Sequence, residues 1–197
     1  RDHNLLGLQS ELWGARALGI DTTIVMTGDP SSAKAQHPAA TVNDVTVFGL
    51  ISLSCEAGMH TGAVLDFRPE VDGLAAEVRR LKKKAAAGGS FVVTQPVYDE
   101  GTAARIFEAS RDLEVPVAMG ILPLLSSRHA IFLDDKVAGI TVPAALRQEM
   151  AESEDPLQTG IEQAREMLDV ARHYFSGACI MPAFERFETL LKILPEA

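Results

Sequence analysis

The sequence predicts an α/β fold built on a parallel sheet, and three observations support this. Short apolar or β-branched runs without charges alternate with longer amphipathic segments, the connections are short, and no linker rich in proline, glycine or serine divides the chain. Such alternation implies right-handed crossovers. About six runs have strand character, whereas a complete eight-stranded barrel takes about 250 residues. We therefore expect the 197 residues to form one domain, either a small doubly wound sheet or the larger, C-terminal part of a barrel.

Composition limits the classes of function. A hydrophobic content of 47% is enough for a sizeable core. The net charge of −9 and the pI of about 5.0 argue against nucleic acid, because phosphates attract a basic surface. No apolar run approaches the roughly 20 residues of a membrane span, so we expect neither a membrane partner nor a secretory signal. Cys55 and Cys179 lie far apart and the five histidines lack ligand spacing, which predicts a cytoplasmic protein with reduced thiols and no metal site.

The first helix and the first strand have clear boundaries. Apolar residues recur at helical spacing through Leu5–Leu18, Asn4 is a suitable N-cap, and Gly19 follows as a stop. The β-branched run Thr22–Met26 predicts a strand that ends at the turn Thr27-Gly28-Asp29-Pro30.

A second helix and strand follow a polar loop at Ser31–Ala40. Asn43 or Asp44 is the expected N-cap of a helix through Val45–Ala57. The run Thr61–Leu65 is the second predicted strand.

The third predicted helix, Val71–Lys84, carries two kinds of lysine. At 100° per residue its apolar side chains share one face. Lys82–Lys83 point away from that face toward water, as charge runs usually do. Glu77, Arg80 and Lys84 form a stripe along the flank of the apolar face, which separates Lys84 from its neighbours. For Lys84, a solvated surface and a binding site remain equal alternatives.

The stretch Gly88–Asp99, GGSFVVTQPVYD, organises the chain. Phe91–Gln95 is a short run without charges, as a parallel strand covered on both faces requires. Pro96 cannot donate to a ladder, so Gln95 lies at the carboxyl end of the strand, where α/β sheets bind ligands. An amide donates and accepts at once, which suits a heterocycle with both kinds of edge. The alternative is a glutamine that only satisfies loop backbone.

The remaining elements continue the alternation. The further strands are predicted at Val115–Ile121, Gly139–Val142 and Ala178–Met181. The further helices are predicted at Ala103–Asp112, Ser126–Leu133, Pro143–Ser153, Leu157–Phe175 and Phe184–Leu194. Asp155-Pro156 opens the fourth of these helices, with proline in its first turn.

Polar residues gather where predicted strands end. Asp29, Asp66 and Gln95 occupy such positions, as a binding mouth at the C-terminal face of a barrel requires, although turns favour the same residue types. The chain shows no Ser/His/Asp order, no paired carboxylates and no phosphate loop. No predicted strand holds the lysine that a Schiff-base lyase or aldolase needs. We therefore expect a bound cofactor to carry the reaction.

Several motifs resemble the methylenetetrahydrofolate reductase family in order and spacing. They are GLQSELWGARALGI, TGDP, RLKKKAAAGGSFVVTQPVYD, GILPL, GITVP and MPAFERFE, and the resemblance extends from Arg1 to about Leu194. Within the family, the chain is most similar to the branch often fused to a homocysteine S-methyltransferase domain. The resemblance implies a (β/α)8 TIM-type barrel that holds FAD at its C-terminal mouth.

The resemblance also implies a reaction. It is the FAD-dependent reduction of 5,10-methylenetetrahydrofolate to 5-methyltetrahydrofolate in one-carbon and methionine metabolism, with NADH or NADPH as the donor. The nicotinamide first reduces the flavin, which then passes hydride to the folate. The implied partners are the folate substrate, further copies of the chain in a homo-oligomer, and a fused homocysteine S-methyltransferase domain upstream.

The resemblance assigns roles to individual residues. Asp29 and Gln95 are the implied catalytic residues: the Asp29 carboxylate lies near the flavin pyrimidine and tunes its potential, and Gln95 hydrogen-bonds the pterin. The residues implied to bind the cofactor are Thr27, Gly28, Asp29, Ala63, Leu65, Glu77, Arg80 and Lys84. The residues implied to bind the substrate or the nicotinamide are Gln95, Leu133 and Arg186, the last at the substrate entrance.

The sequence also departs from the family pattern. Thr27, Asp66, Ser90 and Glu185 replace residue types that are common in the family. The family's first strands, with the glutamate that acts as general acid on the folate, have no counterpart here, and we expect them to precede Arg1. The alternative function is therefore a truncated flavin- or folate-binding barrel without turnover.

Overall fold

The structure is a computed structural model that describes residues 3–28, 41–66 and 73–194. Its strands are β1 (Thr22–Val25), β2 (His60–Leu65), β3 (Phe91–Pro96), β4 (Val117–Ile121) and β5 (Gly177–Ile180). Its helices are α1 (Leu5–Ala17), α2 (Val47–Glu56), α3 (Gly73–Ala86), α4 (Glu100–Ser110), α5 (Ser127–Lys136), α6 (Ala144–Glu152), α7 (Pro156–Tyr174) and α8 (Glu188–Ile193). The predicted loop Ser31–Ala40 lies outside the described residues.

The strands form a five-stranded sheet in the order β1-β2-β3-β4-β5. The pairs β1–β2 and β4–β5 are parallel, with Thr22 opposite His60 and Ala118 opposite Gly177. Helices separate successive strands, so the predicted α/β class is confirmed. A doubly wound sheet reverses its strand order at a switch point, whereas neighbours in a barrel follow chain order. The observed order is therefore that of part of a TIM-type barrel.

The chain divides into two compact units, one from Arg1–Val64 and Arg79–Val92, the other from Leu65–Val78 and Val93–Ala197. The predicted organisation as a single domain stays a prediction. No helix in the described part of the chain is long and apolar enough to cross a membrane.

In the first unit, hydroxyl groups link β1, α2 and β2. The Ser54 hydroxyl lies 2.8 Å from that of Thr23 and accepts a hydrogen bond from Thr61 Oγ1 at 2.8 Å. Ser54 and Thr61 are fully buried, so these bonds satisfy polar groups that water does not reach. Helix α1 contrasts with this arrangement, since none of its residues is buried and the Trp13 side chain is 60% exposed.

In the second unit, α7 packs closely against the segment that follows β4. A Cβ atom at Gly160 would lie 1.9 Å from the carbonyl oxygen of Leu124, so only glycine allows this approach. Leu124 belongs to an apolar cluster that fills the space around α5 and α6. The cluster consists of Tyr98, Leu124, Ala130, Leu133, Ile140, Val142, Leu146 and Met150.

One predicted strand, Gly139–Val142, is wrong, because this segment has no strand structure. Ile140 and Val142 are buried and alternate with more exposed residues, which is the pattern of a strand. Their backbone groups are satisfied differently: Val142 N–H donates to Asp134 Oδ1 at 3.0 Å, and Ile140 N–H donates to the Val137 carbonyl at 3.2 Å. The segment is therefore a buried loop held by a side chain.

Two helix boundaries also differ from the prediction. The N-cap of α2 is Thr46, whose hydroxyl accepts from Gly49 N–H at 3.2 Å, and not Asn43 or Asp44. The Asp44 carboxylate accepts instead from Leu5 N–H at 3.3 Å.

The predicted helix Phe184–Leu194 is interrupted. It is a short 3-10 turn, Ala183–Glu185, followed by α8. Phe184 interrupts it because its φ of +51° is not helical. By contrast, Asn4, Asp99 and Asp155 all cap helices through their side chains, and the predicted cap at Asn4 is confirmed.

Candidate functional site

A cavity of about 300 Å³ lies at the carboxyl ends of β2 and β3 in the second unit. Leu65, the last residue of β2, and Gln95, next to the last of β3, both line it. Parallel α/β folds bind their ligands at this edge. Tyr98, Arg105 and Thr141 are among the other lining residues. This edge is therefore the candidate binding site.

The Gln95 side chain is half-buried in the cavity wall. Within the described residues, no protein group hydrogen-bonds its side-chain amide. The alternative in which Gln95 only satisfies loop backbone is therefore not what the structure shows. An amide carries two donor hydrogens and an accepting oxygen, so Gln95 adds both kinds of hydrogen-bonding group to the cavity lining.

The Thr94 hydroxyl fixes the backbone beside Gln95. Thr94 is buried, accepts a hydrogen bond from Gly120 N–H of β4 at 2.9 Å and donates to the Gln95 carbonyl at 2.7 Å. The Gly120 carbonyl in turn accepts from Val97 N–H at 3.1 Å. A Cβ at Gly120 would lie 2.4 Å from the Thr94 carbonyl oxygen, so glycine is required here. Two strands thus hold Gln95 in one position.

The far wall of the cavity comes from the loop after β3 and from α4. Tyr98 is buried, donates its hydroxyl to the Leu122 carbonyl at 2.9 Å, and has its pKa raised well above the ordinary value by burial, so it stays a neutral donor. Arg105 is exposed and donates from Nη2 to Thr102 Oγ1 at 2.8 Å. Sequence reasoning missed these residues, although their position directly after β3 was a usable signal.

The three charged residues of the predicted stripe on helix α3 differ in exposure: Glu77 and Lys84 are buried, and Arg80 is exposed. Lys84 is only 6% exposed, and its Nζ donates to the Val64 carbonyl at 2.7 Å. Glu77, also buried, accepts from Asp66 N–H at 3.4 Å through Oε1. Arg80 is exposed, and its side chain is not without an interaction partner.

The lysines of the LKKK run confirm the predicted separation. Lys82 and Lys83 are exposed, as a solvated face requires, and Lys84 is buried. The solvated-surface alternative for Lys84 is therefore wrong. A buried ammonium held by a carbonyl oxygen is a fixed positive charge near the end of β2.

The other predicted cofactor residues that the structure describes lie in β2 or directly after β1. Ala63 is buried in β2, while Thr27 and Gly28 are exposed after β1, with Gly28 at a φ of +74° that favours glycine. Asp29 lies outside the described residues.

The two predicted substrate residues beyond Gln95 differ in exposure. Leu133 is 4% exposed within the apolar cluster. Arg186 is exposed in the turn before α8, and its backbone carbonyl accepts from Thr189 Oγ1 at 2.7 Å. Their contacts with a ligand stay predictions, as do those of the cofactor residues.

A second polar arrangement lies after β4. Leu125 N–H donates to Nδ1 of the buried His129 at 3.3 Å, so the ring hydrogen is on Nε2. Burial lowers the pKa of His129 below its ordinary 6.5, which keeps the ring neutral at pH 7. The ring of Phe184 packs on it, with ring centroids 5.3 Å apart and planes tilted by 53°.

Comparison with known families identifies the family of this chain. The family model of methylenetetrahydrofolate reductase matches residues 1–181, most of the chain. The chain belongs to the methylenetetrahydrofolate reductase family. The resemblance carried by TQPVYD and the other motifs is thereby confirmed, and the family is one of folate-related reductases.

The chain is similar to several solved structures, one of them with a TM-score above 0.5. A protein from Clostridium thermocellum, which binds two copies of 5-methyl-5,6,7,8-tetrahydrofolic acid, superposes with a TM-score of 0.57. It is 14% identical, and the match covers 97% of this chain and 67% of that one, so the likeness shows the fold. Citrate synthase SbnG has a TM-score of 0.45 at 14% identity, covering 93% and 77%. Oxaloacetate acetylhydrolase has a TM-score of 0.44 at 11% identity, covering 86% and 67%.

Proposed function

We propose that the cavity at the ends of β2 and β3 binds the pterin of a folate, and that the chain serves the FAD-dependent reduction of 5,10-methylenetetrahydrofolate with NADH or NADPH as donor. One observation carries the proposal. Gln95 lines a cavity at the strand ends, and its side-chain amide has no hydrogen-bond partner among the described residues. The ligand class also fits that of the Clostridium thermocellum protein, which binds a methylated folate.

The chemistry of Gln95 matches a pterin. The pyrimidine edge of a pterin carries a carbonyl, ring nitrogens and an amino group, so it both accepts and donates hydrogen bonds. A single amide can pair with two adjacent groups of that edge. The Thr94 hydroxyl and the close approach of Gly120 fix the backbone of Gln95 before a ligand arrives, which reduces the backbone entropy lost on binding.

FAD, when bound, supplies the hydride transfer that no side chain can perform. The stripe residues of α3 fit such an anionic cofactor in the sign of their combined charge. Its Arg80 and Lys84 carry two positive charges against the single negative charge of Glu77, the sign that a diphosphate requires. Burial fixes the position of the Lys84 ammonium. The proposal therefore assigns ribose and diphosphate contacts to these three residues, and further cofactor contacts to Thr27, Gly28, Asp29, Ala63 and Leu65.

The remaining residues serve the substrate in this proposal. Leu133 contributes apolar packing, and Arg186, which is exposed, is assigned to the entrance for an acidic substrate. Asp29 tunes the flavin through its fixed negative charge.

The test measures binding by the full chain. FAD is mixed with the protein, the mixture is passed through gel filtration, and a flavin absorbance band that co-elutes with the protein is expected. The affinity for 5-methyltetrahydrofolate is then measured by calorimetry for wild type and for Gln95→Ala. We expect Gln95→Ala to weaken the affinity about tenfold, because a buried ligand edge loses its hydrogen bonds, and to leave FAD retention unchanged.

The matched control is Gln148→Ala. Gln148 is an exposed glutamine whose amide donates to Glu152 at 2.8 Å, so its removal should leave both affinities unchanged. Equal folate affinity in Gln95→Ala and wild type would contradict the role of Gln95. Absence of both FAD and folate binding by a folded wild-type chain would contradict the proposed function.

A further inference from the structure

One wall of the cavity at the ends of β2 and β3 is a continuous piece of chain. Five lining residues, 95–99, follow one another from the end of β3 to the residue before α4. Pro96 stiffens this segment, because its ring fixes φ at about −65°. A displacement of the turn after β3 is therefore passed on to Gln95, and the contacts that hold the turn also set the position of Gln95.

Hydrogen bonds from two other elements hold this turn. Val97 N–H donates to the Gly120 carbonyl of β4 at 3.1 Å, and the Tyr98 hydroxyl donates to the Leu122 carbonyl directly after β4 at 2.9 Å. A further bond comes from α7, where the Gln163 side chain donates from Nε2 to the Tyr98 carbonyl at 3.3 Å. This last bond joins residues that are 65 positions apart and ties the cavity wall to a distant helix.

Gln163 is the polar exception on the buried side of α7. It is 8% exposed, and the other buried residues of this helix are glycine, alanine, isoleucine, leucine or methionine. A buried amide costs free energy unless it is hydrogen-bonded, so an apolar residue of the same size would pack on this face without that cost. The group that its amide binds, the Tyr98 carbonyl, belongs to the cavity wall. The polar exception is therefore directed at the candidate site.

The close packing of α7 makes this contact possible. Gly160 precedes Gln163 by three residues, which places the two on the same side of the helix. A side chain at Gly160 would collide with the carbonyl oxygen of Leu124, so the helix backbone lies directly against the segment after β4. From there the Gln163 side chain reaches the Tyr98 carbonyl. Helix α7 thus contacts the connections that follow both β3 and β4.

We propose that Gln163 is a positioning residue for folate binding: its amide holds the Tyr98 carbonyl and thereby sets the backbone from which Gln95 meets the pterin. This role rests on the proposed function, because the folate is the ligand of Gln95. Gln163 is not among the residues that line the cavity in the described part of the chain. It therefore acts through the turn after β3 and not by contact with the folate.

The test measures the calorimetric affinity of the full chain for 5-methyltetrahydrofolate. Gln163→Met keeps the length of the side chain and removes the donor to the Tyr98 carbonyl. It should fold, because methionine adapts to buried apolar surroundings. We expect the affinity to fall about three- to tenfold, because Gln95 is less well positioned. Retention of FAD on gel filtration should stay unchanged, because the residues assigned to FAD lie outside the turn.

Gln163→Asn is a second variant with the same purpose. It keeps an amide at the same position of α7, but its side chain is one methylene group shorter and cannot make the bond to the Tyr98 carbonyl. The same loss of folate affinity is expected. If either variant folds and binds 5-methyltetrahydrofolate like wild type, the positioning role is wrong.

A double variant distinguishes positioning from a general loss of stability. If Gln163 acts through Gln95, then Gln163→Met should weaken folate binding no further when it is combined with Gln95→Ala. Additive losses from the two substitutions would overturn the proposal, because they would show that Gln163 affects folate binding independently of Gln95.

Two control variants lie on the same helix. Ile161→Val removes one methyl group from a side chain that is 1% exposed, so it should lower the melting temperature by about 2–4 °C and leave folate affinity unchanged. Gln158→Met replaces an exposed glutamine whose amide donates to Glu162 at 2.8 Å, and it should change neither quantity. A loss of folate affinity in Ile161→Val as large as that in Gln163→Met would attribute the effect to stability and overturn the proposal.

The single variants separate this role from the proposed function. If 5-methyltetrahydrofolate binding depends on Gln95 and not on Gln163, the positioning role is wrong and the proposed function stands. If the folded wild-type chain binds neither FAD nor 5-methyltetrahydrofolate, both are wrong.

Discussion

The ends of β2 and β3 satisfy their polar groups in different ways. At the end of β2, side chains of α3 occupy the backbone: the Lys84 ammonium binds the Val64 carbonyl, and the Glu77 carboxylate binds Asp66 N–H. At the end of β3, backbone and hydroxyl groups are satisfied, but the Gln95 amide has no partner in the described part of the chain.

This difference separates polar groups that already have protein partners from an amide that has none among the described residues. A buried polar group with a protein partner contributes to stability, and removal of the partner costs the desolvation of the remaining group. The Gln95 amide, in a residue that lines the cavity, has no protein partner among the described residues and so contributes little to stability. Stability and affinity should therefore respond to different substitutions at the two ends.

The largest expected loss of stability follows from a substitution at Gly120, which lies against the backbone of Thr94 and Gln95. Gly120→Ala would place a Cβ 2.4 Å from the Thr94 carbonyl oxygen, and backbone atoms cannot move aside cheaply. We expect the free energy of unfolding, measured by urea titration, to fall by about 3 kcal/mol. Gly14→Ala is the control, because a Cβ at Gly14 in α1 has nothing within 4 Å, and it should raise stability by about 0.5–1 kcal/mol. Equal stability of Gly120→Ala and wild type would show that β3 and β4 are not held as described.

The position of Gln95 could be predicted from sequence, but its support could not. Pro96 ends the strand, and the carboxyl edge of a parallel sheet binds ligands. These two rules are sufficient to place Gln95 at that edge. The contact between Thr94 and Gly120 joins residues 26 positions apart, and no local pattern identifies it. The same limit explains the error at Gly139–Val142, where buried residues alternate as in a strand but the distant Asp134 carboxylate takes the Val142 N–H.

The next largest loss of stability is expected from a substitution of Lys84 at the end of β2. Lys84→Met keeps the apolar stem and removes the ammonium from the Val64 carbonyl, which leaves a partly buried acceptor without that donor. We expect a loss of about 1–3 kcal/mol in the free energy of unfolding and weaker FAD retention on gel filtration. Lys82→Met, at an exposed position of the same helix, should stay within about 0.5 kcal/mol. If the two variants lost equal stability, the burial of Lys84 would have no energetic consequence.

Helical geometry alone is sufficient to separate these lysines. At 100° per residue, Lys84 falls beside the apolar face and Lys82–Lys83 fall away from it. The partner of Lys84 could not be predicted, because Val64 is 20 residues away in a different element. Phe184 shows the same limit, since no local sequence signal predicts a left-handed backbone at a phenylalanine.

A third strand end extends the comparison to pH. After β4, the neutral His129 accepts from Leu125 N–H, so this end is closed by a group that titrates. Burial lowers the pKa of His129 in the folded chain, so below pH 6.5 the unfolded chain takes up a proton first and stability falls with falling pH. We expect the melting temperature of wild type to fall more between pH 8 and about pH 5 than that of His129→Gln, which stays neutral. Parallel pH profiles of the two proteins would contradict this.

The smallest effect on stability is expected at Gln95 itself, and it is the sharpest test of the comparison. Gln95→Leu keeps the size of the side chain and removes an amide that no described residue hydrogen-bonds, so the free energy of unfolding should stay within about 0.5 kcal/mol of wild type. The same variant should lose affinity for 5-methyltetrahydrofolate, because a leucine offers the pterin neither donor nor acceptor. A stability loss as large as that of Lys84→Met, with folate affinity intact, would show that Gln95 stabilises the fold and does not bind the folate. Unchanged stability with lost affinity would establish that the fold holds this amide for a ligand.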